Sequence, residues 1–238
     1  MFHNIGSPPS TKLDAPYPAW SQKNIQIVES AIASAWKCIV DEAHLKDARA
    51  LYLLSHGTEV EVSVKLMDIL QSLLNTRSNS GFNGRRFCPP IRGQELENVT
   101  GDKLEKRPDI SVRLISSVPY SQYNSLFFEC KRISPKRRVA DYINEGLIKF
   151  CDQRYAWGMP HAGMLAYVQN LDPVPQAKIE LEKHWVKKPT AHTVPVCATV
   201  VDNSGSVSVT ITTHKRHLPL PNGSVSGDIT VRHLWLSA

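Results

Sequence analysis

Apolar positions recur every third or fourth residue along the first third of the chain, and every second residue or in continuous runs along much of the rest. From Trp20 to Leu54 the stripe Ile25, Val28, Ile32, Ala35 and Trp36, followed by Ala43, Ala50 and Leu54, has helical spacing and predicts two helices. Ser55-His56-Gly57-Thr58 interrupts it. A further helix is expected from Glu59 to Leu74, with Thr58 and Glu61 in the positions of a capping box. Residues 75–106 are polar and glycine-bearing and read as a long loop. Two strands follow, from Asp109 through Ile110, Val112 and Leu114, and from Leu126 to Lys131, joined by SSVPYSQYNS. Val139 to Trp157 reads as a helix with Val139, Ile143, Leu147 and Phe150 at core spacing, stopped by Gly158 and Pro160, and Ala162 to Gln169 as an apolar strand. Pro195–Val201 and Ser206–Thr213 suggest a hairpin around Asn203-Ser204-Gly205, and Ile229–Leu236 a last strand. Helices and strands in this order predict an α/β domain.

The alternation within Leu126–Lys131 has a chemical consequence. Side chains of a strand change face at every residue, so Glu129 and Lys131 share a face with Phe127, while Leu126, Phe128 and Cys130 point the other way. In an antiparallel hairpin the paired residue numbers sum to a constant, and a turn centred on Pro119 and Tyr120 puts Asp109 opposite Glu129–Lys131. Two carboxylates and an ammonium at a strand end suit metal-assisted phosphodiester hydrolysis. Magnesium takes one or two protein carboxylates and fills its remaining positions with water and substrate oxygens, and a nearby lysine can orient the water. Glu59 lies three residues before Val62 and seven before Leu66, so it faces inward at the edge of the apolar stripe. It is open to two readings, a helix-start acid that satisfies the macrodipole and an acid that completes a metal site.

Pro108-Asp109 followed, after nineteen intervening residues, by Glu129-Cys130-Lys131 resembles the PD-(D/E)xK nuclease superfamily, which has the restriction-endonuclease-like fold. The resemblance implies a mixed sheet flanked by helices, with a second crossover helix at about Gln176–Val186. It implies that Asp109 and Glu129 bind the metal together with the backbone carbonyl of Cys130, that Lys131 assists the attacking water, and that Glu59 is the helix acid completing the site. It also implies Mg2+ as cofactor, with Mn2+ able to substitute, DNA as substrate, and restriction or defence against foreign DNA as the setting. It covers roughly residues 55–186. The expected organisation is an arm over 1–19, a helical extension over 20–54, the core, and C-terminal strands over 195–236.

Composition and charge narrow the picture further. The formal charge of +6 fits a polyanionic partner. Lys136, Arg137 and Arg138, close after the second strand, and Arg85, Arg86 and Arg92 in the long loop are the residues expected to meet phosphates. Five cysteines without CxxC spacing argue against a disulfide framework and a zinc ribbon, and fit a reducing cytoplasm. No apolar run is long enough to cross a bilayer, and the N-terminus lacks the pattern of a secretory signal. His214 and His217 flank Lys215 and Arg216 in a basic run that reads as a solvated strand end, with nucleic-acid contact as the alternative. His161 stands just before a strand, near the sheet end where the site is expected, and reads first as a structural histidine. Two other functions remain open: a nucleic-acid-binding module of the same fold that does not cut, and a structural subunit that meets an acidic protein partner. A symmetric dimer is a natural way to cut two strands, but no residue pattern identifies one.

Overall fold

The computed structural model describes residues 14–76, 81–100, 108–117, 121–134, 138–152, 154–169, 174–188, 193–196, 200–202, 207–217 and 219–237. Three helices come first: α1 (Gln22–His44), α2 (Ala48–Ser55) and α3 (Glu59–Asn75). Each starts where a polar side chain satisfies a first-turn N–H. Ser21 accepts from Asn24, Asp47 from Ala50, and Thr58 and Glu61 form the expected reciprocal box.

The strands β1 (Ile91–Arg92), β2 (Ile110–Val112), β3 (Leu126–Ile133), β4 (His161–Val168), β5 (Val200–Asp202), β6 (Ser208–His214) and β7 (Ile229–Ser237) form one mixed sheet in the order β1-β2-β3-β4-β7-β6-β5. The centre, β3-β4-β7, is parallel, and both flanks are antiparallel. Parallel strands are covered on both faces and therefore tend to read as near-continuous apolar runs, as β4 does, while β7 is buried along most of its length although Arg232 and His233 lie within it. The chain passes from β3 to β4 through α4 (Val139–Asp141), a π-helical stretch (Tyr142–Leu147) and α5 (Ile148–Cys151). From β4 it continues into α6 (Val174–Lys187), which packs beside α4 and against β7.

Helices α1 and α3 cover one face of the sheet. Trp36 of α1 stacks on Tyr167 of β4 with ring centroids 5.7 Å apart, and its Nε1 donates to the Ser237 carbonyl at 2.8 Å. Glu29 of α1 receives both arms of the Arg232 guanidinium from β7, a bidentate pair in which both residues are buried. Helix α1 is therefore a layer of the core, where an N-terminal extension was expected. The expected arm also changes character at its end. Residues 1–13 lie outside the described residues, but Ala15 and Tyr17 are buried, and the Tyr17 N–H donates to the Gly158 carbonyl at 2.8 Å.

Within the expected long loop, the described residues 81–100 are held against the core. They bury Phe82, Phe87 and Leu96 and contribute the edge strand β1, because a short polar segment can be held by a few apolar anchors. The helix expected over 139–157 ends at Cys151. On the opposite face of the sheet from α1, the π-helical stretch packs closely on β3 and β4 at Gly146. A β-carbon there would lie 2.7 Å from Met164 Cε and 3.0 Å from Lys131 Cγ.

Gly163 serves a similar purpose on β4. A β-carbon there would lie 2.2 Å from Phe128 Cδ1, in the pair that sets the β3–β4 register. Gly163→Ala is therefore expected to lower stability by about 1–3 kcal/mol, the usual cost of overpacking a core. Urea unfolding of the variant checks this, and an unchanged midpoint would mean that Phe128 can move aside. Among the described residues no helix is long and apolar enough to cross a membrane.

Candidate active site

Strand β2 is only three residues long, while β3 runs for eight. Their pairing, Ile110 with Phe128 and Val112 with Leu126, is symmetric about position 119, one residue of register from the pairing expected for a turn centred between Pro119 and Tyr120; Val118–Tyr120 themselves lie outside the described residues. Past Phe128, β3 has no strand neighbour on the β2 side among the described residues. A free strand edge leaves N–H groups in need of acceptors. Two carboxylates supply them. Asp109 Oδ2 accepts from the Cys130 N–H at 2.7 Å, and Glu59 Oε1 accepts from the Arg132 N–H at 3.3 Å. The N–H and C=O of one strand residue point to the same edge, so the Cys130 carbonyl is directed to the side where Asp109 lies.

Glu129 and Lys131 share the face of β3 that looks toward the π-helical stretch and α5, as alternation requires. Cys130 points to the other face, toward Ser63 and Tyr167, where burial and the Asp109 charge push its thiol well above the usual range. Glu129 is 1% exposed. Its Oε1 contacts Lys131 Nζ at 3.2 Å and also Lys149 Nζ, and its Oε2 accepts from the Tyr155 hydroxyl. Lys131 Nζ has a second carboxylate partner in Glu59 Oε2, at 3.2 Å. Burial favours the neutral amine of Lys131, but Glu129 and Glu59 outweigh it, and the net effect raises its pKa.

Helix α3 delivers Glu59 because its preceding turn is tied to the ends of β3 and β4. Arg132 Nη1 donates to the Gly57 carbonyl at 3.3 Å, and Gln169 Nε2 donates to the Leu53 and Gly57 carbonyls at 2.8 and 3.2 Å. Glu61, by contrast, caps the helix and contacts Arg49 and Tyr52 on the exposed side.

Asp109 is strongly perturbed by its surroundings. Burial, and then the neighbouring Glu129 charge, push its carboxyl from 3.8 up to about 6, against the pull of the Cys130 N–H, Lys131 and Lys149. Like charges forced together in a poorly solvated place are relieved by a cation. Three carboxylates (Asp109, Glu129, Glu59) stand against two ammoniums (Lys131, Lys149), so the donor set fits a divalent ion held by Asp109, Glu129 and the Cys130 carbonyl. Glu59 faces Lys131 and the Arg132 N–H and sits farther along the β3 edge than Asp109. Among the described residues no group of three or more His, Cys, Asp or Glu side chains is arranged to hold a metal by itself.

Lys149 and Tyr155 are not among the residues singled out from sequence. Lys149 follows a π-helical stretch, which shifts its face relative to a regular helix, and Tyr155 stands in the turn after the helix. The signal for Tyr155 was the early helix stop implied by Asp152, since aspartate disfavours a helix interior. Two other expectations change. The basic run at the end of β6 is only half solvated: Lys215 and His217 are exposed, but His214 and Arg216 are buried, and Arg216 donates to the Ala156 and Met159 carbonyls at 2.8 and 2.6 Å. His161 lies at the start of β4, two positions before the Gly163 that pairs with Phe128, and so away from the Glu129–Lys131 end.

Of the residues expected to meet phosphates, Lys136 and Arg137 lie outside the described residues, Arg85, Arg92 and Arg138 are exposed, and Arg86 is half-buried. Arg92 on β1 pairs with Ile110, next to Asp109. Comparison with family models, with curated proteins and with solved structures gave no match to this chain, so the site stands on its own geometry.

Proposed function

We propose that this chain is a magnesium-dependent endonuclease that hydrolyses DNA phosphodiester bonds, in restriction or defence against foreign DNA. The observation that carries the reading is the convergence of Asp109, Glu129 and Lys131 at the β3 edge, with the Asp109 carboxyl pushed up to about 6. Asp109, Glu129 and the Cys130 carbonyl would hold the ion. Magnesium there supplies Lewis acidity toward a phosphate oxygen and lowers the pKa of a coordinated water.

The chain's own residues do the remainder. Lys131, whose Nζ is held by both Glu129 and Glu59, presents a fixed positive charge to the water or the phosphate. Tyr155 keeps the Glu129 carboxylate in one orientation. Arg85, Arg92 and Arg138 offer exposed charge along which a polyanion can lie, consistent with the net charge of +6.

One observation favours a non-cutting nucleic-acid-binding module instead: Glu129 is already engaged by two lysines and a tyrosine. Supercoiled plasmid incubated with purified protein separates the readings. Nicking with Mg2+ or Mn2+ that stops on addition of a chelator is the expected result. DNA retention without nicking under any divalent ion would select the binding module.

A further inference from the structure

The two lysines on Glu129 are not equivalent. Both reach the same oxygen, Oε1, but Lys131 is held a second time by Glu59 and its side chain is 11% exposed. Among the described residues Lys149 has Glu129 as its one carboxylate contact; it lies 5.8 Å from the Tyr155 ring centroid, and its side chain is 24% exposed. One ammonium is clamped by two carboxylates, and the other has a single anchor and a path to water. Tyr155 meanwhile occupies Oε2 and has no charge to give up at neutral pH, since burial and the neighbouring Glu129 push its hydroxyl well above the ordinary value.

A fully buried carboxylate cannot stand unpaired, so something must hold Glu129 before any metal arrives. We infer that Lys149 is that resident counter-ion: it occupies the cation side of Glu129 in the metal-free protein and is displaced from Oε1 when a divalent ion binds, leaving Lys131 and Tyr155 in place. The inference rests on the nuclease reading for the identity of the ion and adds an exchange of one cation for another. The released ammonium stays within a side chain's length of the site, where it can meet a phosphate oxygen of the bound polyanion.

Two measurements on the full chain test this, and neither depends on cleavage. The first is calorimetric titration with Ca2+, an oxygen-seeking ion, into the wild type and Lys149→Met, which keeps the aliphatic stem and removes the charge. Loss of the competing ammonium is expected to tighten Ca2+ binding by on order tenfold to a hundredfold, the scale of one charge contact in a partly buried site. The second is acylation of lysine amines in the wild type, read residue by residue by mass spectrometry. Saturating Ca2+ is expected to raise Lys149 labelling about tenfold while Lys131 stays protected, since an ammonium freed of its carboxylate regains the reactivity of an exposed one.

Ca2+ binding with unchanged Lys149 labelling, or with equal affinity in wild type and Lys149→Met, would overturn the inference and leave the metal-site reading standing. Failure of both proteins to bind either Ca2+ or Mg2+ would overturn both. Binding by Lys149→Met alone would support the inference in its strongest form. If Lys149→Met does not fold, the labelling experiment on the wild type still decides.

Discussion

Asp109→Asn is expected to make the protein more stable at pH 7.5 while reducing metal-dependent nicking by on the order of a hundredfold or more, because it removes a ligand charge. The stability gain follows from the direction of the shift. A carboxyl whose pKa rises from 3.8 to about 6 on folding binds more protons in the native state than in the unfolded one between those values, so stability falls as pH rises through that window. Above pH 6 the ionised Asp109 then costs about 1–3 kcal/mol, with the lower end allowing for its partial exposure and for the sharing of charge with Glu129. Asparagine keeps an oxygen for the Cys130 N–H and drops the charge. Urea midpoints of the two proteins in chelator should differ most at pH 7.5 and converge below pH 4. A variant less stable than wild type at pH 7.5 would make Asp109 a structural cap of the strand edge and remove the argument for a cation.

The second large effect is acid unfolding driven from the other end of the sheet. Tyr142 in the π-helical stretch, His233 on β7, and Thr212 and His214 on β6 form a buried hydrogen-bonded chain: Tyr142 Oη to His233 Nδ1 is 2.6 Å, His233 Nε2 to Thr212 Oγ1 2.8 Å, and Thr212 Oγ1 to His214 Nε2 2.7 Å. Burial pushes His214 from 6.5 down to about 4 and His233 down to about 3, the latter also through its proximity to His214. Both are neutral in the folded protein where the unfolded chain would protonate them. Stability is therefore fully present above pH 6.5 and is lost as pH falls toward 4, by several kcal/mol in all, a large part of the roughly 5–15 kcal/mol that holds a domain folded. Asp109 acts in the opposite sense between pH 6 and 3.8, but one carboxyl with a smaller shift is outweighed by two histidines. The measurement is the urea midpoint from pH 7.5 to 4.5. The double variant His214→Gln, His233→Gln should start lower, since it disturbs a buried network, but run flatter across that range. An equal slope in both proteins would falsify the assignment.

Much of the site could be read from residue order because its parts obey local periodicities. The constant sum of a hairpin register put Asp109 opposite the Glu129–Lys131 segment, where its carboxylate meets the Cys130 N–H, and helical spacing turned Glu59 inward while the capping box took Glu61 out of consideration. The role of α1 was not legible in the same way. Its apolar stripe shows that it is buried but not against what, and Trp36 and Glu29 find partners some two hundred positions away. His214 and Arg216 illustrate a rule applied to the wrong feature. Charge in the run drew attention to solvent, yet period-two alternation places Thr212, His214 and Arg216 on one face and Lys215 and His217 on the other, and the first set is buried. Lys149 was hidden for a different reason. Regular helical spacing counts residues at about 100° each, and the turn before Lys149 does not keep that count.

That widened turn bears on how such a cluster would be recognised in another chain. A π turn takes in one more residue than an α turn, so it acts as a single-residue offset between Lys131 on the strand and Lys149 on the helix. A protein that built the same charge arrangement with a regular helix would carry its second lysine one position earlier, and a search that fixes the interval between the two would pass over it. The distance along the chain belongs to the helix, and only the shared carboxylate oxygen belongs to the chemistry.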